Sequence, residues 1–248
     1  MIAIYKREMR AYFTTPIGYI FSALLMAVSA WFFMSYTLQR GASSNYATYF
    51  QMIIILFIAI IPLLTMKLMS EERKLKTEQL LLTGPVSLSG IVISKFLAAL
   101  SVFGGTFIVA SIIYFIPLSL YGNPNASIYF SCVLATLLVG SAFISIGIFV
   151  SSLTENQFIA AFGTMAFIIL LVLISNLNNY INNEFLRTVL SGFSVTSRYA
   201  YFASGVFDWP SFLYYVSISG VFLFLTVRAL EKRRWSWFYM EEAEYEKS

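Results

Sequence analysis

Long apolar runs separated by short polar intervals are the dominant pattern of this sequence. The runs occupy residues 17–38, 50–68, 91–120, 127–153, 158–175 and 212–230. Each is near or above the roughly 20 residues that a helix needs to cross a bilayer. The third is longer, so its helix either tilts or extends beyond the membrane. The pattern predicts an all-α integral membrane protein with six transmembrane helices.

A shorter segment of mixed character, residues 1–15, precedes the first apolar run. Its basic side chains and Thr14 fall within about a 100° arc of a helix, broadly opposite apolar and aromatic side chains; these basic residues are Lys6, Arg7 and Arg10. Glu8 falls outside this polar arc. The pattern predicts an amphipathic helix lying in the membrane interface. A signal peptide fits less well, because the following run is full length and no small-x-small cleavage site closes it.

The longest charged interval, residues 70–87, separates the second and third apolar runs. Thr77 suits the N-cap of a short helix, and Glu78 suits the positive end of its dipole. Gly84 and Pro85 end that helix. Its apolar surface consists of Leu80, Leu81 and Leu82. Two interpretations stay open: a helix that rests on lipid head groups, and a docking helix for a soluble partner.

The composition agrees with a membrane protein and removes several kinds of chemistry. Of 248 residues, 59% are hydrophobic and 11% are charged, with a mean hydropathy of +0.77; a soluble domain is about a quarter charged. The chain has no histidine, which excludes His-activated nucleophiles and most zinc or iron sites. The single cysteine, Cys132, lies in an apolar run and is expected to be a small membrane-facing or packing residue.

The basic residues segregate to one side of the predicted spans. Thirteen of the sixteen Lys and Arg residues lie on the side that carries both termini and the charged interval; the other three are Arg40, Arg187 and Arg198. The positive-inside rule therefore predicts cytoplasmic termini and an external segment at residues 176–211. Because the basic residues cluster beside the spans, the net charge of +4 does not indicate nucleic-acid binding.

The sequence divides into one transmembrane domain, residues 1–235, and an acidic cytoplasmic tail, residues 236–248. The charged part of the tail, residues 241–246, is expected to be solvated and disordered. In the second cytoplasmic loop Glu155 is the only charge, and it is either merely solvated or a contact for a partner. No predicted span carries a pair of ionisable residues in its middle, as a catalytic site inside the membrane would.

The chain has no Gly-x-x-x-x-Gly-Lys-Ser/Thr motif that could cradle a nucleotide. If the protein belongs to an ATP-driven machine, its nucleotide sites are on another polypeptide.

Several short motifs around the charged interval resemble the first cytoplasmic loop of ABC-2-type exporter permeases. They are Glu71-Glu72-Arg73-Lys74, Thr77-Glu78, Leu80-Leu81-Leu82, Pro85-Val86-Ser87 and Lys95-Phe96. Near the end of the chain, further motifs resemble the closing span of the gliding-motility and related branch: Gly205-Val206-Phe207-Asp208, Tyr214-Tyr215, Phe222-Leu223-Phe224-Leu225-Thr226 and Leu230-Glu231-Lys232-Arg233-Arg234-Trp235. The family usually has Gly before the Thr, where this chain has Lys76.

The resemblance implies roles for particular residues. In that family the first cytoplasmic loop is a coupling helix that sits on a separate ATPase subunit. The implied ATPase-coupling residues are Glu71, Glu72, Arg73, Thr77, Glu78, Leu80, Leu81, Leu82, Pro85 and Glu155. Lys6, Arg7 and Arg10 then belong to an N-terminal elbow helix.

Family members also place re-entrant helices in the outer segment, here at about residues 183–190 and 197–204. An outer gate is implied at Asn183, Arg187, Arg198, Gly205 and Asp208. An ordinary structured outer loop is the alternative for each of these residues.

The implied function is that of a permease subunit in a bacterial cytoplasmic membrane, moving an amphipathic or lipid-linked substrate. Six spans form half of a pathway, so a second permease chain, identical or homologous, and two ATPase subunits are expected. ATP and Mg are expected on the ATPase, with no cofactor or metal bound directly by this chain and membrane lipid around it.

Two other functions remain open. One is a non-transporting ABC complex that transmits ATP-driven motion to a cell-envelope machine, which needs the same coupling loop. The other is a membrane-embedded lipid-modifying enzyme. The enzyme fits less well, because the chain has no histidine and no paired acids at one membrane face.

Overall fold

The computed structural model describes residues 2–38, 46–77, 87–122, 124–177, 195, 198–199, 202, 205 and 208–245. Eight α-helices follow one another in this part of the chain: α1 (Ile2–Thr14), α2 (Pro16–Phe33), α3 (Tyr46–Thr65), α4 (Lys67–Lys74), α5 (Leu88–Tyr121), α6 (Ala126–Leu153), α7 (Gln157–Leu177) and α8 (Trp209–Tyr245). A π-helical turn, Met34–Leu38, extends α2.

Within the described residues, six helical segments are long and apolar enough to cross a membrane, which confirms the predicted all-α fold with six spans. They are Pro16–Leu38, Thr48–Lys74, Leu88–Tyr121, Ala126–Leu153, Gln157–Ile174 and Trp209–Arg234. The second segment combines α3 and α4. The first helix, α1, is amphipathic, as predicted, and packs against α2 and α5.

The helix α6 lies at the centre of the bundle, in contact with α3, α4, α5, α7 and α8. Its small residues permit close packing: a Cβ atom added at Gly147 would lie 2.2 Å from Thr65 Oγ1 on α3. Cys132 is fully buried on α6, so it is a packing residue rather than a membrane-facing one. The hydroxyl of Thr136 donates to the carbonyl of Cys132 at 2.7 Å, which satisfies a polar group inside an apolar helix.

Two helices are longer than the sequence predicted. The second span was expected to end at residue 68, but α4 continues to Lys74. The break between α3 and α4 falls at Met66, whose backbone N–H donates to the Pro62 carbonyl at 2.9 Å. At the other end of the chain α8 continues to Tyr245, so the prediction of a disordered tail at residues 241–246 is wrong through Tyr245.

The described residues between α7 and α8 contact α6 and α8. The Tyr215 hydroxyl donates to the Val195 carbonyl at 2.7 Å. Gly205 has φ = 80°, and a Cβ there would lie 2.6 Å from Ile128 Cγ1, so both backbone and space require glycine. Asp208 caps α8, because its Oδ2 accepts from the Ser211 backbone N–H at 3.0 Å.

Arg198 lies with its guanidinium 4.5 Å from the ring centre of Tyr214. Asn183 and Arg187 lie outside the described residues, as does the predicted helix at 183–190, and the one at 197–204 is described only in part. The outer gate therefore stays a prediction.

Candidate functional site

A buried lysine marks the end of the bundle that carries both termini. Lys95 lies in the second turn of α5, in a segment whose neighbours are apolar, and is only 1% exposed. Its ammonium donates to the Leu68 carbonyl at 2.7 Å, and its Nζ lies 2.9 Å from Glu72 Oε1 and 3.3 Å from Glu8 Oε1. A buried ammonium needs such partners, because an unpaired one costs several kcal/mol.

Arg7 completes this group. Its Nη2 lies 2.7 Å from Glu8 Oε1 and 2.7 Å from Glu72 Oε1, so the two carboxylates are held between two cations. Burial lowers the pKa of Arg7, but hydrogen bonds to Glu8 and Glu72 and their negative charges outweigh this and raise it. We call Arg7, Glu8, Glu72 and Lys95 the charge cluster. It joins α1 to α4 and α5, which come much later in the sequence.

The charge cluster explains why Glu8 departs from the amphipathic pattern of α1. Its side chain is turned into the bundle rather than toward the interface, whereas Lys6 and Arg10 are exposed. Arg7 is half-exposed, with part of its side chain in the cluster. Two further contacts hold α1 in place: Tyr5 and Ser101 share a hydroxyl hydrogen bond at 3.0 Å, and the Tyr12 hydroxyl donates to the Leu64 carbonyl at 3.2 Å.

The loop between α6 and α7, predicted to be the second cytoplasmic loop, is attached to α4 by side chains. Arg73 Nε lies 2.9 Å from Glu155 Oε1, and Arg73 Nη1 donates to the Leu153 carbonyl at 2.9 Å. Two residues that the sequence assigned to a partner contact are therefore paired with each other. Glu155 is 61% exposed, so it is also open to solvent.

Hydrogen bonds to α6 and α8 strengthen this attachment. Ser151 Oγ accepts from the backbone N–H groups of Met69 and Ser70 at 3.2 Å each and donates to the Met66 carbonyl at 3.1 Å. The guanidinium of Arg233 on α8 donates to the Ser152 carbonyl. Ser151 of α6 thus supplies hydrogen bonds to backbone groups at the break between α3 and α4.

The chain turns sharply where α4 ends. Lys76 has φ = 57°, a left-handed conformation that favours glycine. Its backbone N–H donates to the Arg73 carbonyl at 3.1 Å, and the Thr77 hydroxyl donates to the Glu72 carbonyl at 3.2 Å. Glycine adopts this conformation without strain, which explains why the permeases that the loop resembles usually have glycine where this chain has Lys76. Thr77 closes the end of α4, and its predicted role as an N-cap concerns residues outside the described part.

Replacing Lys76 by glycine is expected to raise the free energy of unfolding by about 0.5–1 kcal/mol, because relief of the left-handed strain exceeds the added entropy of the unfolded chain. Lys74→Gly is the matched control, since Lys74 is helical and a glycine there is expected to lower stability by about 1 kcal/mol. Denaturant unfolding of the purified chain in detergent micelles measures both. Equal losses in the two variants would contradict a strained turn.

The other predicted residues are placed as follows. Glu71 Oε2 lies 4.0 Å from Lys67 Nζ, a loose pair on α4. Glu72, predicted to meet basic groups of a partner, instead has cations of this chain beside it, Arg7 and Lys95. Five predicted coupling residues lie outside the described part: Glu78, Leu80, Leu81, Leu82 and Pro85. Within the described part, no group of three or more His, Cys, Asp or Glu could hold a metal ion.

The charge cluster was not predicted from the sequence. In the sequence analysis Lys95 belongs only to the Lys95-Phe96 motif and to the count of basic residues. Glu8 is noted only because it falls outside the polar arc of the first helix. Two signals could have found the pair: an acid off the polar arc of an amphipathic helix, and a lysine inside an apolar run. Both positions are costly unless the charges are paired.

Comparison with known proteins gives one family. A family model described as ABC-2 family transporter protein matches residues 2–228, which include the charge cluster, the loop between α6 and α7 and all six candidate spans except the end of the last. A comparison with curated proteins gives no match.

Proposed function

Because the chain belongs to the ABC-2 family of transporter proteins, we propose that it is the permease subunit of an ATP-driven exporter for an amphipathic or lipid-linked substrate. It is a multi-pass membrane permease, and its family implies association with ABC ATPase subunits. In our proposal the working unit has two permease chains and two ATPase subunits in a bacterial cytoplasmic membrane. Both termini are cytoplasmic, and ATP and Mg bind to the ATPase.

The observation that carries the proposal is that the helices on either side of residues 78–86 both contribute to the charge cluster. Before this segment, Thr77 is bonded to the end of α4, where Glu72 joins the charge cluster. After it, α5 begins at Leu88 and contributes Lys95 to the same cluster. A force on the segment is therefore delivered to one point, where α1, α4 and α5 meet.

In the proposed mechanism, residues 78–86 contain the coupling helix. Its leucines, Leu80, Leu81 and Leu82, contact the ATPase together with Glu78, while Thr77 and Pro85 delimit the helix. When ATP closes the ATPase dimer, the helix moves and displaces α4 and α5, and α1 follows through Glu8 and Arg7. A ligand changes a conformational equilibrium only through differential interactions, and this contact supplies them.

The second cytoplasmic loop gives the same motion another path. Arg73 connects α4 to Glu155 and to the Leu153 carbonyl, so displacement of α4 pulls on the junction of α6 and α7. Residues 1–235 act as one transmembrane domain in this scheme. Residues 236–248 are the acidic tail, on the cytoplasmic side.

Affinity purification of the tagged full-length chain from its native membrane tests the proposal. We expect a co-purifying subunit with a nucleotide-binding Gly-x-x-x-x-Gly-Lys-Ser/Thr motif, and a particle mass that corresponds to two permease chains and two such subunits. An active particle with one permease chain, or with no ATPase, contradicts the proposal.

Flux separates transport from transmission of motion to a cell-envelope machine. The purified complex is reconstituted in liposomes, and the lipids that co-purify with it are returned in labelled form as the probe. Export predicts ATP-dependent movement of the probe between leaflets or into the lumen. ATP hydrolysis that responds to the permease without any such movement supports the transmission of motion instead.

A further inference from the structure

A small cleft lies between α1 and the end of the second span, beside the charge cluster. It has a volume of about 90 Å³ and is partly open. Tyr12, Ile17, Leu64 and Leu68 are among its apolar lining residues, and Glu8 lies on one side. Because α1 packs beside the ends of candidate membrane spans, we expect the cleft to lie at the level of the lipid head groups.

The open side of the cleft carries one cation and one anion. Lys67 and Glu71 are adjacent on α4, with side chains 34% and 43% exposed. Their charged atoms are 4.0 Å apart, beyond hydrogen-bond distance, and no other described residue pairs with either. Elsewhere on the same face, Arg73 and Glu155 or Arg228 and Glu231 approach to 2.9 Å and 2.7 Å. Lys67 and Glu71 are therefore available to a ligand that has both charges.

We propose that this cleft binds the head group of a zwitterionic phospholipid with a primary amine, of the phosphatidylethanolamine type. The phosphate lies against Lys67, the ammonium donates to Glu71, and the acyl chains run along the apolar surface of α1 and α2. The membrane supplies this ligand at high local concentration. None of the residues that line the cleft belongs to the segment 78–86, so the inference goes beyond the proposed coupling contact.

The charges of the site exclude the other common head groups. An anionic lipid without an amine could pair with Lys67 but would leave Glu71 without a cation. A trimethylammonium head group is bulkier and has no N–H to donate to a carboxylate. A primary ammonium is compact and donates up to three hydrogen bonds.

Binding there bears on the proposed coupling route. The cleft is bounded by α1 on one side and by α3 and α4 on the other. A head group in it would join these elements beside the charge cluster and hold α1 against the second span. Lipid composition would then affect how firmly α1 follows α4.

Native mass spectrometry of the full-length chain tests the inference. Phosphatidylethanolamine, phosphatidylcholine or phosphatidylglycerol is added to the protein in detergent, and the lipid that stays bound after release from the micelle is measured. We expect the ethanolamine lipid to bind most tightly. The double variant Lys67→Gln with Glu71→Gln is expected to weaken its binding by about tenfold, because two charge-assisted contacts are lost. Both side chains are on the surface, so the fold should be retained.

The matched control is Arg228→Gln with Glu231→Gln, which removes another exposed ion pair from a helix on the same side of the membrane. It should leave ethanolamine-lipid binding unchanged. Ala11→Leu is a second test, since it narrows the cleft without removing a charge. Equal binding loss in the two double variants, unaltered binding by Ala11→Leu, or tighter binding of phosphatidylglycerol than of phosphatidylethanolamine each overturns the inference.

Discussion

The variant Lys95→Met is expected to lower the free energy of unfolding by about 3–5 kcal/mol, the usual result of removing one partner from a buried ion pair. Lys95 is 1% exposed, and the side chains of Glu8 and Glu72 are 11% and 19% exposed. Without the ammonium, the two carboxylates retain only Arg7 between them, and the Leu68 carbonyl loses its side-chain donor. Methionine is similar in length to lysine, so the loss of unfolding free energy reflects the missing charge and hydrogen bonds more than a change in volume.

A double-mutant cycle identifies the cause. Glu8→Gln alone leaves Lys95 paired with Glu72. When Glu8→Gln is combined with Lys95→Met, one of the two acids that would lose their ammonium partner is no longer charged. We therefore expect the double variant to be more stable than the sum of the single losses predicts, by about 1–3 kcal/mol. Unfolding by denaturant in detergent micelles measures all four proteins.

Lys67→Met is the control for this cycle. Lys67 is partly exposed and its pair with Glu71 is loose, so the expected loss in lipid-free micelles is about 0–1 kcal/mol. If Lys95→Met costs no more than Lys67→Met, or if the cycle shows no coupling with Glu8, the charge cluster does not hold α1 to the bundle.

The six spans could be predicted because their signal is local. Length and apolar composition within each run decide whether a helix crosses a bilayer, and no distant residue is needed. The ends of the helices were less predictable. Charges at Glu71 and Lys74 indicated a loop, yet these residues favour helix as well, and contacts of α4 with α6 extend the helix. The tail was misjudged for the same reason, since Glu and Ala also favour helix.

The charge cluster could not be predicted, because it is assembled from distant parts of the chain. Glu8 and Lys95 are 87 positions apart, and nothing in either local pattern specifies the other. The pairing of Arg73 with Glu155 has the same origin. A single sequence shows which charges are costly to bury but not which ones meet.

The turn at Lys76 is intermediate between these cases. The resemblance has glycine at this position, and the lysine in this chain left the backbone conformation there unpredicted. Only the structure shows that Lys76 adopts the left-handed conformation itself, with φ = 57°, rather than changing the turn.

The largest functional effect is expected from Leu81→Asp in the segment between Thr77 and Ser87. In the proposed complex, burial of one leucine against the ATPase is worth about 1.5–3 kcal/mol, and two permease chains double this. An aspartate removes that contribution and adds the cost of burying a charge. We expect the chain to reach the membrane at normal levels while its association with the ATPase falls by at least about tenfold. Co-purification of the ATPase with the tagged chain measures this.

Leu75→Asp is the matched control, because Leu75 is another leucine close to the segment 78–86 in the sequence and is 64% exposed at the end of α4. It makes the same chemical change outside the proposed contact. If residues 78–86 merely rest on lipid head groups, both variants lose the same interfacial contact and ATPase association is unchanged in each. If they form the coupling helix, only Leu81→Asp lowers association and makes ATP hydrolysis unresponsive to the permease. Full association in the Leu81 variant would therefore assign the segment to the membrane and reject the coupling role.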